Sequence, residues 1–595
     1  MRSKLKMNSY FLLIIVFLII SSILSINCSY NKSLRNNKFN IDNFESSSAY
    51  PAESGNIYIN NNWTAAKAAG ICTGNGTYSE PYIIEDLRLE GDGSKWSCIV
   101  IKNSNAFFII ENCTLYTSEQ RFSYAINMYN VQNGLVINNN CSTSRTAICL
   151  FYCSNINLSI NTINDVEYGS GIYLEHSNNN SILDNKIDNC KQYGIHITNS
   201  RDNEVLRNDM KGCGLEITGS NEEFRSNSIE STNTVNGKPL YYYCDEINLG
   251  LDNFTNAGQV ILINCNQSLI SHLNTINGSI GISLYYCNNN TIAENNASYN
   301  RVSGIYLVNS NFNLIYGNIV NFTYYSYESD YNGISLKDSH HNNITKNIAA
   351  HDYSGVYLYH SELNVISKNF LENNLIGIYL RFSDHNYIYE NNVTHNRSGI
   401  DIRDSSYNKI ERNIAINGLS TYSKGIYLSR GSYNIIKGNK VMNNTYGIEI
   451  FWNNYNVISE NTVNNNSYVG IILWHECCYN VVSGNNIINN SNNGIYLYDQ
   501  CNYNTISGNF ITKNSNFGIY LRSQSNHNFI TENILTENAV CIREEDCFGN
   551  FFWDNGSCLY VGKRNPETLI YVGLALLGIT ILVLLEKRRR SAHKF

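Results

Sequence analysis

Charged residues and prolines are scarce in this chain of 595 residues. Only 15% of the residues are charged, the formal net charge is −7, and there are only 4 prolines. A surface that binds nucleic acid needs clustered Lys and Arg to meet the phosphates. The composition therefore gives no electrostatic case for nucleic acid as a partner.

Metal-ligand patterns are missing as well. The chain has 5 Met and no Met or His cluster at ligand spacing. None of its 18 Cys takes part in the CxxC…CxxC spacing of a zinc site. We therefore predict no cofactor.

What the chain does contain is one repeated unit that opens with a glycine. Steps of about 22 residues separate successive glycines, a period typical of solenoids and β-helices. These glycines are Gly281, Gly304, Gly333, Gly355, Gly377, Gly399, Gly425, Gly447, Gly470, Gly494 and Gly518. Within one unit, Ile378 and Leu380 alternate with Tyr379, so a strand places the two apolar side chains on one face.

Two more short strands complete each unit. Ile388 and Val393 supply their inward side chains, and Asn386, Asn391 and Asn396 fall where the chain must turn. Coils stacked about 4.8 Å apart place equal positions in columns, in which Asn amides can bond to one another. The pattern predicts an all-β parallel solenoid of about twenty coils in one long domain. A leucine-rich repeat fits poorly, because the second half of the unit carries Asn, Ile and Val at strand spacing.

The ends of the chain depart from this repeat. We expect a signal peptide over 1–27, a flexible linker over 28–55 and an N-terminal cap over 56–97, with Trp63, Ala65, Ala66, Ala68 and Ala69 as its plug. Coils follow over 98–540, with an irregular stretch that contains Pro239, and a C-terminal cap covers 541–565. The apolar run Leu569–Leu585 predicts a transmembrane helix over 568–586, followed by a basic cytoplasmic tail over 587–595. An uncleaved N-terminal anchor and a cleaved C-terminal sorting signal remain alternatives.

These segments predict the cell membrane as the location. The coils would lie outside the cell and one span would hold them in the membrane. Cysteines recur at equal positions of adjacent coils, in the pairs Cys190 with Cys213, Cys265 with Cys287 and Cys477 with Cys501. Each pair is either a disulfide or two stacked thiols. Glycan acceptor sequons are abundant, and only those in loops are credible carriers.

The outward face of the Gly-Ile-x-Leu strands is the candidate binding surface. Three insertions, Thr117–Tyr124, Phe322–Asn332 and Gly418–Lys424, fall at one corner beside it, and insertions at one corner often mark the working face of a solenoid. Tyrosine rings offer flat apolar surface for sugar rings, and Arg and Asp offer hydrogen bonds. The predicted ligand-binding residues are Tyr306, Tyr357, Tyr359, Tyr379, Arg381, Asp401, Arg403, Tyr427 and Trp474. The competing interpretation is that these tyrosines only favour strand positions and pair along their own column.

Catalysis has one candidate pair on the same face. Asp401 and Glu449 lie two coils apart, or about 9.6 Å by stack geometry, which is near the carboxyl spacing of inverting glycosidases. No further Asp joins them, and isolated charges on a solvated face are ordinary. The chain is therefore expected to be non-catalytic.

The repeated unit Gly-Ile-Tyr-Leu-x-x-Ser-x-x-Asn-x-Ile-x-x-Asn resembles the right-handed parallel β-helix repeats of NosD-like proteins. The segment Asn236–Tyr243 also looks like one found in NosD-like surface proteins of archaea. The resemblance covers about residues 56 to 560 and implies a right-handed helix of coils. It implies glycans or neighbouring surface proteins as partners, with a carbohydrate-active enzyme or a maturation factor for a secreted metalloenzyme as alternatives.

Overall fold

A computed structural model describes residues 56–91, 97–117, 123–143, 145–322 and 331–556, and the backbone of 560–561. All of these residues belong to one compact unit of the chain. The unit is an all-β parallel solenoid of about twenty coils, as the repeat predicts.

One coil shows how the sequence builds the stack. The strands Ile376–Arg381, Tyr387–Tyr389 and Asn392–Thr394 follow one another around the coil. Ile378, Leu380 and Ile388 are 0% exposed and Val393 is 1% exposed, so the predicted inward positions are confirmed. Each strand pairs in parallel with the equivalent strand of the next coil, so that Ile378 lies beside Ile400 and Leu380 beside Ile402.

The strands form three faces, and the first face carries the Gly-Ile-x-Leu strands. They divide into two stacks, which meet between Thr218 and Lys238. In the first stack they are Ile57–Asn60, Ser97–Ser104, Tyr124–Ile137, Thr146–Phe151, Ile172–Glu175, Ile195–Thr198 and Leu215–Thr218. In the second stack they form what we call the long sheet: Lys238–Cys244, Gln259–Ile263, Ile280–Tyr285, Ser303–Val308, Asn332–Lys337, Ser354–Tyr359, Ile376–Arg381, Ser398–Arg403, Lys424–Ser429, Tyr446–Phe451, Val469–Trp474, Ile495–Tyr498, Phe517–Arg522, Val540–Glu545 and Tyr560–Val561.

The two remaining faces have shorter strands. The second face contains Tyr82–Glu85, Phe108–Glu111, the end of Tyr124–Ile137, Ser154–Ser159, Ser181–Leu183, Glu204–Leu206, Ser228–Ile229, Leu269–Ser271, Thr291–Ala293, Leu314–Tyr316, Asn343–Thr345, Val365–Ser367, Tyr387–Tyr389, Lys409–Glu411, Ile435–Lys437, Val457–Ser459, Val481–Ser483, Thr505–Ser507, Phe529–Thr531 and Phe551–Trp553. The third contains Arg88–Gly91, Thr114–Thr117, Asn140–Ser142, Thr162–Asn164, Lys186–Asp188, Asp209–Lys211, Thr234–Val235, Ile348–Ala350, Phe370–Glu372, Asn392–Thr394, Ile414–Ile416, Lys440–Met442, Thr462–Asn464, Asn486–Ile488, Phe510–Thr512 and Ile534–Thr536.

The corners hold buried asparagines, as predicted, but the turn itself is made by the preceding residue. Asn386 and Asn391 are each 1% exposed, whereas His385 and Glu390 have φ of 59° and 55°. This left-handed backbone bends the chain and lets the following Asn point inward. The side-chain amide of Asn391 donates to the Ile366 carbonyl at 2.8 Å, and its oxygen accepts the backbone N–H of Asn369 at 3.0 Å. Each corner amide therefore bonds to backbone groups of the preceding coil that would otherwise need water as a partner.

A short helix occupies the segment predicted as the N-terminal plug. Helix α1, Trp63–Ala68, lays Trp63 flat against Tyr82, with the ring centroids 4.8 Å apart, and the indole N–H donates to the Ser104 hydroxyl at 2.7 Å. Trp63 and Ala66 are buried, while Ala65, Ala68 and Ala69 are exposed. The plug is thus one indole ring and one alanine.

The irregular stretch around Pro239 is where the second stack begins. Helix α2, Asn221–Ser226, follows the last strand of the first stack. Thr234–Val235 then pairs in antiparallel fashion with Lys238–Pro239 through a tight hairpin, and a 3₁₀ turn covers Leu251–Phe254. The irregular stretch predicted around Pro239 is therefore a junction between two stacks.

Several expectations fall wholly or partly on other parts of the chain. The signal peptide, linker, transmembrane helix and basic tail lie outside the described residues, as do most of the first two insertions. No helix among the described residues is long and apolar enough to cross a membrane. The paired cysteines Cys190, Cys213, Cys265, Cys287, Cys477 and Cys501 are all buried free thiols, which decides between the two alternatives.

Candidate binding face

The nine predicted binding residues all lie on the outward side of the long sheet, in two neighbouring columns. The middle column contains Tyr306, Ser335, Tyr357, Tyr379, Asp401, Tyr427, Glu449 and Ile472. The distal column contains Lys337, Tyr359, Arg381, Arg403, Ser429, Phe451, Trp474 and Tyr498. Most side chains of the middle column are buried, whereas most of the distal column are half-buried or exposed.

The tyrosines of the middle column pack on each other. Tyr357 and Tyr379 are 8% and 7% exposed, and their rings stack with centroids 5.1 Å apart. The Arg403 guanidinium covers Tyr379 at 5.4 Å from its centroid. Burial raises the pKa of Tyr379 to about 12, so its phenol stays protonated. The ring faces of Tyr357 and Tyr379 are therefore covered by neighbouring side chains. This is the arrangement expected if the tyrosines pair along their own column and bind no ligand.

The carboxylates of the middle column are ion-paired. Arg403 donates two hydrogen bonds of 2.8 Å to Asp401, and Lys424 lies 3.1 Å from Glu449. Tyr427 lies between the two pairs, with the Lys424 ammonium 3.5 Å from its ring centroid. Burial raises the pKa of Glu449, although Lys424 opposes that shift.

The register confirms that Asp401 and Glu449 are two coils apart, with Tyr427 between them. Both carboxylates are only 2% exposed. A general acid or nucleophile must touch its substrate. As placed here, the two side chains form a buried charge network within the face.

The distal column is the accessible part of the face. Arg381 is exposed and lies over the ring of Phe382, 5.2 Å from its centroid. Phe382 itself is 37% exposed, and Tyr359 packs edge-on against it at 5.9 Å. The distal column thus continues onto the adjoining left-handed corner, which the sequence pattern did not mark as part of a site.

The richest aromatic group on this face lies three and four coils further along. We call Phe451, Trp452, Trp474 and His475 the aromatic corner. Trp452 is 45% exposed, and Trp474 stacks on the His475 imidazole with centroids 5.1 Å apart. Phe451 meets Trp474 edge-on at 5.7 Å.

Polar groups adjoin the aromatic corner. The His475 imidazole is hydrogen-bonded through Nδ1 to the Asp499 carboxylate. The Trp474 indole N–H is buried and has no hydrogen-bond partner among the described residues. An exposed indole ring beside half-buried aromatic rings and a hydrogen-bonded His–Asp pair is the kind of surface that sugar recognition uses.

Sequence reasoning identified Trp474 but missed Trp452, Phe451 and His475. Trp452 has φ of 46° and occupies the left-handed position directly after its strand. The repeat unit marks Asn at the turns, and it does not mark the residue that precedes this Asn. The available signal was a large aromatic residue directly after a Gly-Ile-x-Ile strand.

Metal ligation has no candidate in the described part of the chain. No group of three or more His, Cys, Asp or Glu side chains there could hold a metal ion.

Two families match parts of the sequence. The family described as "Right handed beta helix region" matches residues 79–229 and 320–453. The family described as "Periplasmic copper-binding protein (NosD)" matches residues 413–563. A search of the curated proteins found no match.

Solved structures with related coils have low identity to this chain. The periplasmic alginate epimerase AlgG is 12% identical, with 84% of each chain covered and a TM-score of 0.22. DFA-IIIase from Arthrobacter chlorophenolicus A6 without its lid is 12% identical, with 43% of this chain and 67% of that chain covered and a TM-score of 0.29. PfbA, a surface adhesin of Streptococcus pneumoniae, is 13% identical, with 55% and 84% covered and a TM-score of 0.22. Identities and TM-scores this low do not indicate a shared function.

The strand topology and the family matches define a right-handed parallel β-helix protein. Within that class the chain is NosD-like, as its repeated unit indicates.

Proposed function

We propose that the protein is a membrane-anchored, extracellular β-helix that binds glycans through the aromatic corner and the adjoining distal column. A neighbouring surface protein that presents such glycans would be held in the same way. The observation that carries this proposal is Trp452, which is 45% exposed beside Trp474 and the His475–Asp499 pair. Indole faces and edges bind the apolar side of a sugar ring, and charged groups beside them bind its hydroxyls.

Binding without catalysis fits the charges of this face. Asp401 and Glu449 are held by Arg403 and Lys424, and so they organise the sheet beneath the exposed residues. Arg381 is an exposed cation of the distal column, and it is available for a hydroxyl or carboxylate of the ligand. We assign Tyr306, Tyr357, Tyr379 and Tyr427 to the support of this surface.

The membrane anchor is proposed from sequence. The run Leu569–Leu585 is just long enough to span, and Lys587–Arg590 directly after it favours a cytoplasmic tail. The aromatic corner would then face the medium outside the cell.

A glycan array tests the binding proposal. The ectodomain from Cys28 to Lys563 is compared with a double variant, Trp452→Ala with Trp474→Ala. We expect at least about a tenfold loss of affinity for every glycan bound, since two aromatic contacts of about 1 kcal/mol each are removed.

The matched control is Tyr455→Ala. Tyr455 lies in the same coil as Trp452 and is 44% exposed, but its ring stacks in a ladder between Tyr433 and Tyr479. We expect its affinities to equal those of the wild type. Equal losses in both variants, or none in the tryptophan variant, would place the site elsewhere.

A further inference from the structure

The junction between the two stacks is joined by side chains on the first face. The strand Leu215–Thr218 is the last of its sheet, and no strand in the described part of the chain continues its ladder. Instead, the Gln259 side chain accepts the Leu215 N–H at 2.9 Å and donates to the Leu215 carbonyl at 2.7 Å. The Gly214 N–H donates to the Ser279 hydroxyl at 2.8 Å.

Glu216 lies at this junction with a buried carboxyl group. It is 2% exposed, and the Tyr285 hydroxyl of the second stack donates to its Oε1. Its Oε2 is buried and has no hydrogen-bond partner among the described residues. A buried carboxylate needs a cation or several donors, and here one donor is present.

Among the described residues, the side chains that face Glu216 supply no positive charge. His196 is its neighbour in the preceding coil, and Tyr193 precedes that strand. Tyr285 and Tyr306 face it from the second stack, and helix α2 contributes the uncharged ring of Phe224, 4.9 Å from Tyr285. The charged side chains of α2 are engaged elsewhere: Glu222 with Arg201, Glu223 with Ser220 and Arg225 with Asp245.

We infer that this junction is a proton-controlled joint, closed while the Glu216 carboxyl carries a proton and opened when it is ionised. Closure buries a neutral acid that shares a hydrogen bond with Tyr285. Ionisation leaves a buried charge with one unpaired oxygen between the two stacks.

The direction of the pH dependence follows from two groups. Burial raises the pKa of Glu216 from 4.5 to about 8, while the Tyr285 bond lowers it. The closed joint therefore holds a proton that the open joint releases, and opening becomes more favourable by about tenfold per pH unit up to pH 8. Burial lowers the pKa of His196 from 6.5 to about 4, so opening that exposes it becomes more favourable as pH falls below 6.5. The two effects oppose each other between pH 4.5 and 6.5, and Glu216 acts alone above pH 6.5.

Hydrogen–deuterium exchange on the full chain tests the joint. Between pH 6.5 and 8.0, after correction for intrinsic exchange, we expect the protection of the amides of 214–218 to fall by about fifteenfold in the wild type. It should stay constant in Glu216→Gln, whose amide still accepts the Tyr285 bond. The peptide 376–381, inside the long sheet, should not change in either protein.

Two further variants keep the test decisive. Gln259→Ala should lower protection at every pH, which verifies that these amides report on the joint. Tyr285→Phe removes the bond that lowers the pKa of Glu216, so the fall should extend above pH 8 even if Glu216→Gln does not fold. The inference is overturned by equal wild-type protection at both pH values, by the same fall in Glu216→Gln, or by no effect of Gln259→Ala.

Discussion

A single corner asparagine illustrates how side chains replace solvent in this stack. Asn485 is 1% exposed; its amide donates to the Ile458 carbonyl at 2.9 Å, and its oxygen accepts the Asn461 N–H at 2.9 Å. The neighbouring Asn486 points outward, and its side-chain oxygen is buried without a hydrogen-bond partner among the described residues. Two adjacent asparagines of one coil thus have opposite roles.

This contrast predicts different effects on the free energy of unfolding for two alanine variants. Asn485→Ala leaves buried backbone groups of the preceding coil unpaired and should lower the free energy of unfolding by about 3 kcal/mol. Asn486→Ala removes an oxygen that has no partner and should leave stability unchanged or slightly raised. Thermal melts of both variants measure this, and a loss in Asn486→Ala as large as in Asn485→Ala would contradict the ladder.

At the scale of one element, the recurring glycine is required by a close approach. A Cβ at Gly377 would lie 2.3 Å from Cγ1 of Val393 and 2.7 Å from the carbonyl oxygen of Gly399 in the next coil. The backbone of Gly377 has no positive φ, so its conformation alone would permit any residue. The position is glycine because a Cβ would collide with the Val393 side chain of the same coil and with the backbone of the next coil.

Gly377→Ala should therefore destabilise its coil. We expect a loss of about 2 kcal/mol, because the added methyl group must displace backbone of the next coil. Gly250→Ala is the control, since a Cβ there has no heavy atom within 4 Å. Urea unfolding compares the two, and equal midpoints would show that the coils can separate enough to admit a methyl group.

Tyrosine has a structural use in another element, the corner that carries Tyr455. The rings of Tyr407, Tyr433, Tyr455, Tyr479 and Tyr503 form a ladder with centroids 5.1 to 5.2 Å apart. Their planes are nearly parallel, so each ring covers the next. Stacking within this ladder explains why these exposed positions are tyrosine, and no ligand is needed to explain them. The tryptophans of the aromatic corner are not part of this ladder.

At the scale of the whole molecule, the coils should lie outside the cell. Protease added to intact cells should remove the chain N-terminal to Pro566 and leave a small stub whose C-terminal tag, placed after Phe595, stays protected. Permeabilised cells are the control, because the tag should then be digested.

Two outcomes would change that topology. Full protection of the coils in intact cells would contradict an extracellular location. Loss of the tag from the mature protein would replace the anchor by a cleaved sorting signal.

The inside of the molecule could be predicted from sequence because it repeats. Ile378, Leu380, Ile388 and Val393 alternate with polar residues at strand spacing, and a core that recurs every coil makes each unit evidence for the next. The inward asparagines followed from the same period. Stacking geometry then set which residues become neighbours, including Asp401, Tyr427 and Glu449.

Exposure and the junction depended on tertiary structure. Tyr357 and Tyr379 alternate outward as predicted, yet their neighbours in the column bury them, and alternation along one strand does not report what lies one coil away. The cation that pairs with each carboxylate, the left-handed position that exposes Trp452, and the meeting of Glu216 with Tyr285 across 69 residues are likewise contacts between coils. The sequence by itself determined the repeat and its core, because a period is a local property. The three-dimensional stack decided which outward groups reach solvent, because burial depends on partners distant along the chain.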